Sequence, residues 1–301
     1  MFLQSCRSAM GIVVMAGVLT LSMQAGEGKI RATVELDIPY VDGGGHDQQL
    51  DLYTPDAPNF PTIVFVHEGG MTSGDRKDSP YAEMAKVFQN MGIACALVNY
   101  RLAPDHKWPS QPNDVVSAFD WVKRNIGRYG GDSKRIFLFG HSSGCYLVSM
   151  VGTDQKYLQV KGYSQKDIAG VIAMGCRLND HVFVTDEPPE CYECSWVPAQ
   201  YLDKFMRREL AFVSLKQRND AVPARHVTRD LPPTLVLIAE EERFFPPILR
   251  DAAEFVGRAL VAKAKADISI LDDRRHMTAI QNMVRSDDPA VVRIVEFVQG
   301  K

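Results

Sequence analysis

A chain of 301 residues, 46% of them hydrophobic, with 22 glycines and 17 prolines spread along it, has the make-up of an ordered protein with interior enough for a large core. Its 34 lysines and arginines against 37 aspartates and glutamates leave a formal net charge of -3. That balance excludes the basic field that nucleic acid or an anionic membrane would need, and it points to a small-molecule partner.

Taken in order, the chain opens with a single charge, Arg7, then the apolar run Met10 to Met23, then the small residues Ala25 and Gly26. This layout predicts a secretory signal peptide over 1–25, and hence a secreted or periplasmic product. The run is shorter than the roughly 18 residues of a spanning helix, so an uncleaved anchor is the second choice. No stable membrane insertion is expected after cleavage, and Cys6 leaves with the peptide.

Short β-like runs follow at 31–38, 48–53, 62–67, 93–99, 135–140, 168–174, 234–239 and 266–271. Helical patterns occupy 79–92, 113–126, 143–152, 246–264 and 289–299. The later runs are continuous in Val, Ile and Leu and alternate with helices, as strands buried on both faces do. The prediction is an α/β fold, one domain over 27–301, with a mainly parallel central sheet of about eight strands and helices on both faces. The first two runs alternate apolar and polar residues, and VDGGGHD joins them as an antiparallel edge hairpin. The stretch 176–230 is an insertion, a candidate lid or pocket wall. In such sheets ligands sit at the carboxyl ends of the strands.

At one such end, Gly140-His141-Ser142-Ser143-Gly144 fits G-x-S-x-G only with Ser142 at its centre. A strand precedes it and a helix follows, the context in which a serine is held on a sharp turn as a nucleophile. The glycines let helix and strand pass closely. Further blocks are DIPYVDGGGHDQQLDLYTPD, VFVHEGGMTSGDRKD, VNYRLAPDHKWPSQPNDVVSAFDWVKRN, LPPTLVLIAEEERFFPP and RRHMTAIQ. In order and spacing the chain resembles the α/β-hydrolases, and within them the esterases with an H-G-G-G motif, including the hormone-sensitive-lipase-like carboxylesterases.

That resemblance implies a catalytic order of serine, acid, histidine. Of the histidines after Ser142, His276 follows the last strand where the family places its base, whereas His181 and His226 fall in the insertion and read as polar surface. The acid position falls on Glu242, with a glutamate where the family usually has aspartate; Glu240 or Glu241 could replace it through a small loop shift. Asp272 and Asp273 read as loop residues. The oxyanion donors implied are the N–H groups of Ser143, Gly69 and Glu68, the last standing where H-G-G-G has its first glycine. A carboxylate aimed into that hole would oppose the developing charge, so the Glu68 side chain is expected to turn towards Arg76 or Arg101. Tyr100 to Pro104 and Trp108-Pro109 are expected to pack rigidly beneath the pocket, with Asp114 capping or opening the next helix.

Five cysteines remain after the leader, an odd number, so at least one thiol is unpaired unless chains pair with each other. Cys95 and Cys145 read as small buried hydrophobes. Among Cys176, Cys191 and Cys194 a disulfide, free thiols, or a metal site with His181 all stay open, and export favours the disulfide. No cofactor or metal is expected. The implied function is a serine hydrolase cleaving carboxylic esters of short acyl groups, acetylated sugars among them, through an acyl-enzyme. The same machinery serves an amidase or aryl formamidase, and a non-catalytic binding protein on this frame is the reading from another class. The sequence does not give the oligomeric state.

Overall fold

The structure is a computed structural model that describes residues 32–179, 211–243 and 246–300. The expected signal peptide, His181, Cys191, Cys194 and most of the 176–230 insertion lie outside the described residues.

Eight strands form one sheet: β1 (Thr33–Pro39), β2 (Gln49–Thr54), β3 (Phe60–Val66), β4 (Ala94–Val98), β5 (Gly131–His141), β6 (Gly170–Met174), β7 (Thr234–Ala239) and β8 (Ala266–Leu271). Their spatial order is β1-β2-β4-β3-β5-β6-β7-β8. β1 pairs antiparallel with β2 and β2 antiparallel with β4, and every other pairing is parallel. All eight expected strands are present. The continuous apolar runs became β3, β4, β6 and β7, in which every residue is buried. β1, at the open edge, has mostly exposed residues.

The helices described are α1 (Tyr81–Asn90), α2 (Ser110–Asn125), α3 (Ser143–Thr153), α4 (Lys156–Gln159), α5 (Leu215–Asp220), α6 (Pro246–Val261), α7 (His276–Gln281) and α8 (Pro289–Gln299). Successive strand residues point to opposite faces, so the sheet feeds two cores. Val64 and Leu138 pack with Val116, Phe119, Leu147 and Val151 of α2 and α3. Phe65 and Phe139 pack on the other face with Met84, Phe88 and Ile294 of α1 and α8. None of these helices is long and apolar enough to cross a membrane.

Local chemistry sets the helix ends. α8 starts at Pro289 after Asp288, whose carboxylate accepts the Ala290 N–H at 2.9 Å, and stops at Gly300 with φ 73°. α2 starts three residues earlier than its apolar pattern suggests. Asp114 therefore lies inside the helix and does not cap it; its buried carboxylate instead takes two bonds of 2.8 Å from the Arg101 guanidinium.

The order β4-β3-β5 has a consequence for function. The chain leaves β3 towards one neighbour and later returns on its other side, so the loops after β3 and β5 part and leave a crevice at their carboxyl ends. His67 to Gly70 and His141 to Ser143 border that crevice.

Candidate active site

β5 runs straight into α3 with only Ser142 between them. Ser142 has φ 52° and ψ -117°, a region that costs a non-glycine residue about 1–3 kcal/mol. The surroundings enforce it: the Ser142 N–H donates to Met174 O at 2.9 Å, and Ser142 O accepts from the Tyr146 N–H at 3.2 Å. A Cβ on Gly144 would come within 2.0 Å of Val66 O, and one on Gly140 within 2.2 Å of the Gly144 carbonyl carbon. Helix and strand can cross this closely only with glycine at both positions. Ser142 stands at the N-cap of α3, yet its side chain makes no capping bond and the residue keeps partial exposure.

His276 begins α7, just beyond β8, and its Nδ1–H donates to Glu242 Oε1 at 2.6 Å. The short 3-10 turn Glu240–Arg243 separates the roles of Glu240 and Glu242. Glu240 accepts the Asp273 N–H at 2.9 Å and so ties the two loops together. Glu242 turns inward to 2% exposure, where its second oxygen accepts the Ala239 N–H at 2.8 Å. A carboxylate cannot donate, so Nδ1 carries the proton and the lone pair is left on Nε2. This is the tautomer a general base requires.

Sequence reasoning missed Gly175, which follows β6 with φ 67°. A Cβ there would lie 2.9 Å from Glu242 Oε1 and 3.2 Å from His276 Nδ1, so this glycine forms the wall behind the pair. Its position at a strand's carboxyl end was the available signal. Gly175→Ala is expected to lower kcat about 10- to 100-fold by displacing the pair. Circular dichroism and a melting curve beside the kinetics separate that effect from misfolding.

The loop after β3 is built around glycines and an arginine. Gly69 has φ 115°, and a Cβ there would meet Ser73 O at 2.0 Å. Downstream, the fully buried Arg76 holds Asp51 Oδ1 at 3.0 Å, Gln49 Oε1 at 3.1 Å, His46 O at 3.3 Å and the Asp37 carboxylate. Its own N–H donates to Asn99 Oδ1 at 2.6 Å. Arg76→Met strands the buried Asp51 charge, and a loss of about 3–5 kcal/mol is expected in a denaturant titration.

Beneath the loop, Tyr100 OH donates to His67 O at 3.2 Å and faces Ser143 Oγ at 3.3 Å, with its phenol pushed well above its ordinary value by burial. Tyr100 is thus a packed strut joining the β3 and β5 loops, and Trp108 packs nearby against Tyr146 and Phe212. His67 stacks on Tyr100 and donates from Nδ1 to Glu68 O at 2.6 Å; burial pulls its pKa down, so the ring is a neutral brace.

Glu68 does not reach Arg76 or Arg101. Both guanidiniums are committed, to Asp51 and Asp37 and to Asp114 respectively. The Glu68 carboxylate instead comes to 3.0 Å from His141 Nδ1. His141, in sequence only the variable residue of the serine motif, is fully buried. Its ring stands 4.7 Å from that of His276, and its Nε2–H donates to His276 O at 3.0 Å.

The cysteine expectation needs correction as well. Cys145 is not a free buried thiol: it forms a disulfide with Cys176, their Cα atoms 5.8 Å apart. The cause is sheet order. Cys145 lies in the first turn of α3 after β5, Cys176 just beyond β6, and β5 and β6 are neighbours. Cys95 is buried and free. His226, read as polar surface, contacts Asp220 O at 2.6 Å, away from the Ser142 loop.

Comparison with known proteins agrees with this geometry. The BD-FAE family model matches residues 50–248. Esterase LipQ of Mycobacterium tuberculosis is 28% identical over 293 residues, covering 90% of this chain and 63% of its own. Esterase LipC of the same organism is 27% identical over 220 residues, covering 70% and 51%. The chain thus spans about half to two thirds of the length of these relatives. A truncated carbohydrate esterase from gut microbiota superimposes with a TM-score of 0.68 at 17% identity, over 91% of this chain and 97% of that one. The fold is the α/β-hydrolase fold that the sequence blocks implied.

Proposed function

The chain belongs to the BD-FAE family, and from that premise we propose that it is a serine esterase in which Ser142, His276 and Glu242 form the catalytic triad. The observation that carries this reading is the 2.6 Å bond from His276 Nδ1 to a buried carboxylate, which leaves Nε2 as the base.

In the proposed cycle His276 Nε2 takes the Ser142 proton as Oγ attacks the ester carbonyl carbon. The oxyanion is stabilised by the N–H groups of Gly69 and Ser143, each worth about 100- to 1000-fold in rate. The Glu68 amide, at the position where the chain departs from H-G-G-G, ranks behind these two. Collapse of the intermediate breaks the ester C–O bond. The alcohol leaves with the proton from His276, and the acyl group stays on Ser142. Water then gives its proton to His276 and attacks the acyl carbon, and the second intermediate releases the acid and restores the serine hydroxyl.

Short acyl esters are the proposed substrates, acetylated sugars among them, and a structural neighbour named as a carbohydrate esterase supports that class. Export is part of the same reading. Two features support it: the leader-like first 25 residues and the Cys145–Cys176 disulfide, a bond favoured in oxidising compartments. Residues 27–301, assayed on p-nitrophenyl esters of increasing acyl length and on acetylated sugars, test the reading. Fastest turnover is expected with the shortest acyl groups. Rates no higher than buffer across the panel would overturn it.

A further inference from the structure

The crevice holds a donor set of which ester hydrolysis uses only His276. His141 Nε2 must be the protonated nitrogen, because its partner, the His276 carbonyl, can only accept. In the neutral ring Nδ1 then bears a lone pair. That atom is buried and has no hydrogen-bond partner among the described residues. Glu68 Oε2 lies 3.0 Å away, outside hydrogen-bond geometry. In that form a lone pair and a carboxylate oxygen converge 3.0 Å apart. One ligand atom each from Glu68, His141 and His276 lie within 4.8 Å of one another.

We propose that Glu68, His141 and His276 form a binding site for a divalent cation of the zinc class, and that occupation of this site and ester hydrolysis exclude each other. The chemistry of the set points to the metal: two imidazole nitrogens and one carboxylate suit zinc, whereas magnesium and calcium prefer oxygen. The spacing fits too. Metal–ligand bonds of about 2.0–2.2 Å place a cation off the line joining Oε2 and Nδ1, with an angle of about 95° between them. A modest movement of His276 closes the third bond.

Exclusion follows from the third ligand. Coordination through Nε2 takes the lone pair that would accept the serine proton, and coordination through Nδ1 displaces Glu242. Either route removes the base. The glutamate that departs from the H-G-G-G pattern thereby gains a function in regulating the site. This exclusion rests on the triad reading; the binding itself does not.

The test is zinc binding by the metal-stripped chain, followed by calorimetry with no substrate present, for the wild type, Glu68→Gln and His141→Asn. One site is expected in the wild type, weakened about 10- to 100-fold or more in each variant that circular dichroism shows to be folded. In parallel, zinc is expected to inhibit p-nitrophenyl acetate hydrolysis and EDTA to restore it. Binding that is absent, or equal in wild type and variants, overturns the site. Binding that depends on Glu68 with turnover unaffected by saturating zinc overturns the exclusion. A chain that binds zinc as expected but hydrolyses no ester counts against the esterase reading and not against the site.

Discussion

Ser142→Ala is expected to lower kcat on p-nitrophenyl acetate by about 10⁶-fold, the scale seen when a triad serine is removed. In the proposed cycle the Ser142 hydroxyl forms the acyl-enzyme, and no neighbour can take its place. Ser143 has a hydroxyl one residue along, but it lies in the first turn of α3, is buried, and faces the Tyr100 hydroxyl at 3.3 Å. Its proposed part in the reaction is a backbone N–H, which alanine also has. Ser143→Ala is therefore expected to keep activity within about tenfold, since Tyr100 still holds His67 O at 3.2 Å. A Ser142→Ala protein as active as the wild type would remove the nucleophile from the scheme. A Ser143→Ala protein as inactive as Ser142→Ala would reassign it.

Glu242→Gln should cost about 10³- to 10⁴-fold in kcat with little change in KM. The reason is tautomeric. Ala239 N–H requires an acceptor at the second oxygen position, 2.8 Å away, so the carboxamide oxygen goes there and its NH₂ group faces His276. Nδ1 must then accept and Nε2 carries the proton, which leaves the ring unable to take one from Ser142. A variant retaining more than a tenth of wild-type kcat would show that His276 is oriented by other means.

The fold was legible because the signals that encode it are local. Strands buried on both faces read as unbroken Val/Ile/Leu runs, and β3, β4, β6 and β7 are such strands. Ser142 could be located for the same reason, since strand, glycines and helix follow one another in the chain. What could not be read depends on which strands become neighbours. Glu68 meets His141 because β3 lies beside β5, and Cys145 meets Cys176 because β5 lies beside β6. Arg76 and Arg101 looked like partners for Glu68 by charge, but their buried carboxylates come from β2 and α2. The choice among Glu240, Glu241 and Glu242 stayed open for another reason. A single tight turn points the identical side chains of Glu240 and Glu242 to different partners, and composition has no access to direction.

The Cys145–Cys176 bond adds a covalent tie between two parts of the proposed reaction centre that the fold otherwise holds by hydrogen bonds and packing. One end lies three residues beyond Ser142; the other is next to Gly175, the wall behind Glu242 and His276. A bridge across 31 positions restricts the unfolded chain by roughly 3–4 kcal/mol. Its further effect is mechanical: the serine turn is tied to the wall against which Glu242 and His276 rest, so drift of one carries the other along. Alignment of the two is thus a product of oxidation as well as of folding, and thiols in place of the bond would leave the same residues present but free to lose register.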